Sequence, residues 1–553
     1  MSNGVVTEQP QRRRALGRMV DSFKPPIDEK AVDASVDVQE VDPEKRGFAS
    51  SNTGVPDGDQ SPDDSGLKRR LHGRHLQMIA LGGSIGTGLF IGSGSALAKG
   101  GPGNVLIDFL LIGFMLFNVV NALGELAVVF PIQGSFSVYS TRFIHPAWGF
   151  AMGWNYVLQW IMTLPLELTA AAITIQYWDY PPSISPAVWI SIFLVITLGI
   201  NLLGVRGYGE AEFVYSSVKV LAIIGFIILG IVINCGGAPN HHYYDGFKGF
   251  CTVFSTAAFA FGGTELVGLA AAETQNPRKT LPTATKQVFW RIVRFLVPSN
   301  DPRLLNGASS SDAKASPFVI AIKNAGIKGL PSVMNAVILV SVLSVGNSAV
   351  FATSRTLTAL AAYKQAPPIF TYIDREGRPL VSILLVLIFS SLAYVGLSSS
   401  YTDVFNWLLA LGGLSALFTW ASVCLAHLRF RQAWAYNGRT VEELPFKAAL
   451  GIWGSWFGLI FNILVLIATF YVSLFPIDGK PNAKVFFESY LAAPLVLAFF
   501  LFWWAWKRDS IVKLKDIDID VGRREFPFLE QLRAERAEIA EKQFFSRWLA
   551  ILC

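Results

Sequence analysis

The sequence has little charge and few cysteines. Only 16% of its 553 residues are charged and 52% are hydrophobic, whereas soluble chains average about 25% charged residues. Its four cysteines form no pair with the spacing of a metal site or redox motif. No phosphate-binding loop and no nucleophile–histidine combination is present either. We therefore expect an integral membrane protein that is not an enzyme and uses no metal or cofactor.

Long hydrophobic segments are what the sequence has instead. Eleven are long enough to cross a bilayer as helices: residues 78–98, 105–130, 150–177, 186–203, 211–234, 250–272, 333–362, 380–397, 404–426, 448–474 and 487–506. Residues 1–76 are polar and have no signal-peptide core, so we predict a disordered cytoplasmic tail there. The prediction is an all-α integral membrane domain over residues 77–506, followed by a charged cytoplasmic tail over 507–553.

Basic residues in the loops conflict with an odd number of spans. The net charge of +6 matches an excess of Lys and Arg in cytoplasmic loops, without nucleic-acid binding. A basic cluster at residues 68–74 places the N-terminus in the cytoplasm. The basic loops after residues 362 and 426 then require one more crossing, and residues 287–297 are the only candidate. Eleven residues reach about 16 Å, half of a ~30 Å core. We therefore predict about twelve spans, with a truncated seventh.

Small residues interrupt two of the predicted spans at their centres. Residues 82–88 of the first span read GGSIGTG, and Gly262 and Gly263 lie within the sixth, shortly before Glu265. Glycine weakens a helix, and freed backbone groups need polar partners at membrane depth. Close helix packing is the alternative explanation. Interrupted first and sixth spans are typical of a five-plus-five inverted repeat, whose half-helix ends suit the carboxylate and ammonium of an α-amino acid.

Ionisable residues inside the spans are candidates for function because they are costly in lipid. Glu167 lies near mid-depth of the third span, and either a cavity or a structural role fits it. Glu125 lies near the cytoplasmic end of the second span, where a hydrogen bond to loop backbone is as plausible as a transport role. Lys219 of the fifth span either snorkels to the interface or exchanges a proton, and we favour the second. Small polar residues also form a stripe on each of two later spans, and these stripes either line a pocket or mediate helix packing. The residues are Ser341, Ser344 and Ser348 on one span, and Ser415, Thr419 and Ser422 on the other.

Six blocks of sequence carry a family resemblance. They are residues 75–90, which read HLQMIALGGSIGTGLF, and residues 124–126, 261–268, 273–279, 345–355 and 374–379. Together they closely resemble the fungal, yeast-type amino-acid permeases of the amino acid–polyamine–organocation superfamily, and most of all the general amino-acid permeases. The resemblance implies a twelve-span inverted-repeat fold in the plasma membrane and proton-driven symport of amino acids with broad specificity.

The resemblance also implies a set of site residues. The substrate's carboxylate and amine would lie against the two interruptions, whose members are Ser84, Ile85, Gly86, Thr87, Gly88, Phe259, Ala260, Phe261, Gly262 and Gly263. Glu167, Ser348 and Thr419 would belong to the substrate pocket. Lys219 matches the lysine thought to carry the coupling proton in proton-driven relatives, and Glu167 an acidic position linked to substrate or proton handling.

The two tails resemble regulatory segments of the family. Lys24, Lys30 and Lys45 lie in a tail similar to those that accept ubiquitin, so ubiquitin-ligase adaptors are expected partners. Cys553 is a candidate lipidation site, although relatives usually carry aromatic residues before this cysteine and this chain has Ile-Leu.

Three alternative functions stay open at this point. A non-transporting amino-acid sensor would share the fold, but the N-terminal tail is shorter than sensor tails. A sodium-driven carrier is disfavoured by Lys219. An inactive carrier would result from a genuine deletion, since family members have a full seventh span between blocks that are nearly adjacent here, at residues 287–291 and 298–303.

Overall fold

The computed structural model describes residues 71, 73–82, 85–178, 181, 184–234, 316–324, 327, 329–395, 401–476 and 481–523. These residues are overwhelmingly α-helical, which confirms the all-α class. Four of the predictions lie outside them: the N-terminal tail up to residue 70, the sixth span at 250–272, the short seventh segment at 287–297, and the final residues with Cys553.

Most helices of the described residues follow the predicted spans. In chain order the helices are α1 Gly73–Gly82, α2 Ser93–Val129, α3 Ser135–Phe143, α4 Pro146–Ile175, α5 Pro186–Leu202, α6 Gly204–Asn234, α7 Pro317–Asn324, α8 Leu330–Ala362, α9 Leu380–Ser390, α10 Leu392–Val395, α11 Tyr401–Tyr436, α12 Gly451–Leu474, α13 Ala483–Tyr490 and α14 Ala492–Lys507. The short helices α3 and α7 lie outside the predicted spans. Within this part of the chain, five helical stretches are long and apolar enough to cross a membrane, which supports a multi-pass protein. They are Gly103–Val129, Pro146–Trp178, Leu330–Ala362, Trp407–Tyr436 and Gly451–Leu474.

Local chemistry sets where several helices begin and bend. The His145 side chain accepts a hydrogen bond from the backbone N–H of Ala147, and a proline occupies the first turn of α4. Ser185 and the proline after it begin α5 in the same way. Inside α2, Gly101 has a φ of 73°, a left-handed conformation that suits glycine. The bend at Gly101 separates the end of the first predicted span from the second.

Helix α4 lies at the centre of the packed body. It contacts α8, α11 and α14, and most of its side chains are buried. Glycine allows the close approach to α8, because a Cβ at Gly153 would lie only 2.5 Å from Cδ2 of Leu360. By contrast, α12 exposes a row of large apolar side chains that includes Trp453, Ile460 and Ile467, as expected of a helix facing lipid.

Glu125 connects three helices at one end of the body. Its Oε2 accepts a hydrogen bond from the backbone N–H of Ala448, at 2.7 Å, just before α12. Its Oε1 lies 2.5 Å from Nε of Arg431 and 3.0 Å from Nε2 of His427, both on α11. Of the two interpretations that the sequence left open, these contacts support the structural one.

Candidate functional site

The first predicted span is interrupted where the small residues lie. Helix α1 ends at Gly82, and a π-helical turn begins at Gly88. Between them, Ile85 and Gly86 lie outside regular helix, and position 84, predicted to bind substrate, is outside the described residues. A π-helical turn is wider than an α-helical one and is frequent at functional sites. The predicted break is therefore present in the part of this span that the structure describes.

The interruption is held against α4 by a short hydrogen bond. Oγ1 of Thr87 donates to Oε2 of Glu167 at 2.5 Å, and both side chains are buried. Within the described residues, Oε1 of Glu167 has no hydrogen-bond partner. A Cβ at Gly86 would lie 3.5 Å from that oxygen and 2.5 Å from Cγ2 of Val345 on α8. Glycine is therefore required for this close approach, and one carboxylate oxygen is left facing the break.

A second polar cluster joins α6 to α8 and includes Lys219. Its Nζ donates to Oγ of Ser344 at 2.7 Å and lies 3.9 Å from Oε1 of Glu212. The Ser344 hydroxyl is also 2.7 Å from Oε1 and 2.8 Å from Oε2 of Glu212. All three side chains are fully buried. Lys219 therefore does not snorkel to an interface, which removes one of the two roles that the sequence allowed.

This second cluster is connected to both parts of the interruption. Ser216, also on α6, is 3.1 Å from Oε1 of Glu212 and 2.9 Å from the carbonyl oxygen of Met78 in α1. Glu167 is also buried, and its carboxylate has the opposite charge to the Lys219 ammonium. The two carboxylates and the lysine thus form one buried group of charges around the interrupted span.

Glu212 was not singled out from the sequence. It lies at the cytoplasmic end of the predicted fifth span, where an acidic residue is inexpensive. The signal that could have found it is the spacing of Glu212, Ser216 and Lys219 at i, i+4 and i+7, which places all three on one face of a helix.

The other predicted pocket residues lie apart from the interruption. Oγ of Ser348 is 3.2 Å from the hydroxyl of Tyr208, whose ring stacks on Phe351 with centroids 4.2 Å apart. The hydroxyl of Thr419 accepts from Nδ2 of Asn155 at 3.4 Å. Asn155 is twelve positions from Glu167 along α4, or about 18 Å at 1.5 Å per residue. The structure brings Thr87, Gly86 and Glu167 together, but it does not place Thr419 beside them.

The sixth-span half of the predicted site lies outside the described residues. This applies to Phe259, Ala260, Phe261, Gly262 and Gly263. Their part in substrate binding stays a prediction, as do the roles of Ser84, Ile85, Gly88, Ser348 and Thr419.

Comparisons with known proteins point in one direction. The family model described as "Amino acid permease" matches residues 75–516. Amino-acid permease inda1 of Hypocrea atroviridis is 54% identical over 503 residues, covering 86% of this chain and 87% of that protein. General amino-acid permease GAP2 of Candida albicans is 53% identical over 512 residues, with 88% and 87% covered. Cationic amino acid transporter 1 of Schizosaccharomyces pombe is 49% identical over 560 residues, with 96% and 94% covered.

Proposed function

Because this chain belongs to the amino acid permease family, we propose that it is a carrier of broad specificity, which takes up amino acids across the plasma membrane by symport with protons. Family members of this kind are multi-pass membrane transporters and not enzymes, so an amino-acid substrate and a lipid bilayer follow from membership. The observation that carries the proposal is the contact of Thr87, beside the interrupted first span, with the buried Glu167. The relative named as a general amino-acid permease supports the breadth of substrate.

The substrate site is proposed at the interruption. Among the described residues, Oε1 of Glu167 has no hydrogen-bond partner and faces Gly86, so it suits the ammonium of an amino acid or a proton, since a buried carboxylate needs a partner. Backbone N–H groups at the start of the helical segment after Thr87 suit the substrate's carboxylate. The sixth-span residues 259–263 would complete the site from the opposite side, and Ser348 on α8 would bound the space for the substrate side chain, whereas Thr419 contacts Asn155 too far along α4 to reach a substrate held at Glu167.

Proton coupling is proposed at Lys219 together with Glu167. A fully buried lysine is a poor structural choice unless its charge is used or paired. Lys219 is fully buried, hydrogen-bonded to Ser344 and opposite in charge to the buried Glu167. Loss or gain of a proton at this lysine would change the field at the carboxylate that faces the substrate, so substrate binding and protonation would depend on each other.

The wider topology is proposed on the basis of hydropathy and charge. Twelve spans in a five-plus-five inverted repeat, both tails in the cytoplasm, ubiquitin-ligase adaptors at the N-terminal tail and lipidation of Cys553 all rest on the sequence. The seventh span is proposed to be truncated. The match to inda1 extends over 503 aligned positions, but it covers only 86% of the 553 residues of this chain, which is fewer residues than positions. Some positions of that relative therefore have no counterpart in this chain, and a missing helix would account for them.

Uptake assays test the function. In cells without their own amino-acid permeases, expression of the full chain should produce accumulation of labelled amino acids that a protonophore abolishes and that sodium removal does not affect. Binding or signalling without accumulation would instead identify a sensor. Uptake that depends on sodium but not on the proton gradient would identify a sodium-driven carrier.

A second assay tests the truncated span. If the chain is correctly inserted but inactive, introducing an apolar segment of about twenty residues, the length that crosses a bilayer, between residues 297 and 298 should restore uptake. A polar segment of the same length is the control. Activity of the unaltered chain would show that the short segment suffices.

A further inference from the structure

The lysine and glutamate of the second polar cluster form an ion pair without a direct hydrogen bond. Nζ of Lys219 is 3.9 Å from Oε1 of Glu212, which is beyond hydrogen-bond distance. Ser344 fills the space between them. Its hydroxyl accepts from Nζ at 2.7 Å and donates to the carboxylate at 2.7 Å, so both connections have ordinary hydrogen-bond lengths. A hydroxyl can accept and donate at once, and the three groups therefore form a continuous path for a proton.

Resting on the proposed proton symport, we propose that Glu212 is the second half of the proton-coupling site and that the transported proton resides on the Lys219–Ser344–Glu212 unit. The unit holds one exchangeable proton as ammonium and carboxylate, and two as ammonium and carboxylic acid. Within it, the Nζ proton can move to Oγ of Ser344 while the Oγ proton moves to the carboxylate. This step turns the ion pair into amine and carboxylic acid without any change in the number of protons.

Ser216 connects this unit to the interrupted span. Its hydroxyl has a single hydrogen, and two acceptors are within reach: Oε1 of Glu212 at 3.1 Å and the carbonyl oxygen of Met78 at 2.9 Å. An ionised carboxylate is the stronger acceptor, so the hydroxyl donates to Glu212 while that group is charged. Once Glu212 is protonated, the hydroxyl is released to the Met78 carbonyl, one turn before α1 ends at Gly82. Protonation is thereby transmitted to the half-helix beside the substrate.

Other titratable groups surround the unit. Glu167 on α4 interacts electrostatically with Lys219, and Tyr215 on α6 interacts with Glu212. His75 on α1 faces Glu210, with Nε2 3.2 Å from Oε1, and Arg74 donates to the same exposed carboxylate. Glu210 lies near the N-terminal end of α6 and is a natural control, because it is acidic and near the unit but takes no part in the path.

Glu212→Gln tests the proposal, since the amide keeps an oxygen acceptor for Ser344 and Ser216 but does not titrate at physiological pH. The full chain is reconstituted in proteoliposomes with an imposed pH gradient. For one proton per substrate, one pH unit drives about tenfold accumulation in the wild type. Glu212→Gln should accumulate to no more than the outside concentration and should lose substrate-induced proton movement. Counterflow of labelled substrate from preloaded vesicles, which needs no gradient, should persist.

Glu210→Gln, the matched control, should keep the wild-type accumulation and pH profile. Concentrative uptake by Glu212→Gln with an unchanged pH profile would overturn the proposal. If the wild type itself accumulates substrate without proton movement, the proposed symport is wrong, and the role of Glu212 is wrong with it. This outcome is distinguishable because it appears in the wild type and not only in the variant.

Ser344 provides a second route in case Glu212→Gln does not fold. Ser344→Ala removes the bridging hydroxyl but leaves both charged groups, so proton-coupled uptake should slow at least tenfold while counterflow continues. Ser344→Thr keeps a hydroxyl and should recover most of the rate. Wild-type rates and pH profile in Ser344→Ala would refute the path through this residue.

Discussion

At the scale of single residues, the Thr87–Glu167 hydrogen bond is the contact with the most direct consequence for transport. Thr87→Val keeps the shape of the side chain but removes the donor, which leaves a buried carboxylate oxygen unsatisfied. Such a loss costs about 1–3 kcal/mol, more for a charged group, so we expect the initial rate of labelled amino-acid uptake to fall at least fivefold at equal surface expression.

A matched threonine on α4 provides the control. The Thr174 hydroxyl donates to the carbonyl oxygen of Ala170 within its own helix, at 2.8 Å. Thr174→Val should therefore transport nearly as the wild type does, and Thr87→Ser, which keeps the donor, should retain most of its activity. Equal uptake by Thr87→Val and Thr174→Val would refute the functional importance of the bond to Glu167.

Glu125 belongs to stability rather than to transport. Its carboxylate is buried against Arg431 and His427 and accepts from the backbone of Ala448. Breaking a buried ion pair from one side leaves an uncompensated charge and costs about 3–5 kcal/mol. Glu125→Gln should therefore lower the melting temperature of the detergent-solubilised protein by several degrees. Glu210→Gln removes an exposed carboxylate and should leave the melting temperature nearly unchanged; an equal drop in both variants would contradict this assignment.

The sequence predicted some of these residues and missed others for a physical reason. Glu167 and Lys219 stood out because ionisable groups are rare within apolar segments. Glu212 and Ser344 are candidates for function because they are hydrogen-bonded to each other, yet they are 132 positions apart in the chain. That pairing depends on how α6 and α8 are rotated and docked, and hydrophobic periodicity does not specify such rotations. Glu125 was ambiguous for the same reason, since its partners lie on α11 and before α12.

At the scale of elements, the interrupted first span depends on glycine at position 86. A Cβ there would lie 2.5 Å from Cγ2 of Val345, closer than side-chain atoms normally approach. Gly86→Val should abolish uptake while leaving surface expression intact, because a β-branched side chain would force α8 away from the break or close the break itself. Uptake of labelled amino acid and surface labelling measure the two quantities separately.

Two further variants isolate the cause. At Gly199 on α5, no atom of the described residues lies within 4 Å of an added Cβ, so Gly199→Val is the control for glycine replacement in a helix and should remain active. Val345→Ala removes Cγ2, the atom at 2.5 Å, and leaves only Cβ at 3.1 Å. Gly86→Ala combined with Val345→Ala should therefore recover part of the activity that Gly86→Ala alone loses. Full activity of Gly86→Val would show that the close approach is not needed for transport.

Most elements were predictable because hydropathy alone determines where a chain crosses lipid. The predicted segment at 333–362 became α8, Leu330–Ala362, and that at 186–203 became α5, Pro186–Leu202. The short helix α3 was not foreseen. Most of its side chains are buried against other parts of the protein and not in lipid. Its sequence therefore has no long apolar run from which a helix could be predicted. Such segments are specified by tertiary contacts and not by the membrane.

At the scale of the whole molecule, the segment after the last span is part of the folded body. Residues 508–523 run across the end that carries α3. The backbone N–H of Val512 donates to the carbonyl oxygen of Ile144 at 3.2 Å. Arg429 donates to the carbonyl oxygens of Phe143 and Val512, and Arg142 donates to that of Val521 at 2.8 Å. The predicted start of the C-terminal tail at residue 507 therefore does not mark the end of packing.

Burial of two isoleucines gives this segment a measurable share of the stability. Ile517 and Ile519 are 5% and 3% exposed, and fully burying such a side chain contributes about 1.5–3 kcal/mol. A chain ending at residue 508 should therefore unfold at a clearly lower temperature in detergent than a chain ending at residue 523. Ile519→Ala should lower stability by about 2–5 kcal/mol, whereas Val521→Ala, at a side chain that is 56% exposed, should change it little. If the two truncated chains have the same melting temperature, residues 509–523 do not contribute to stability, and α3 and α11 stay packed without them. If the melting temperatures differ, the segment 508–523 is firmly attached to the region between α2 and α4. A regulatory event in the tail beyond residue 523 could then act on that region through this segment.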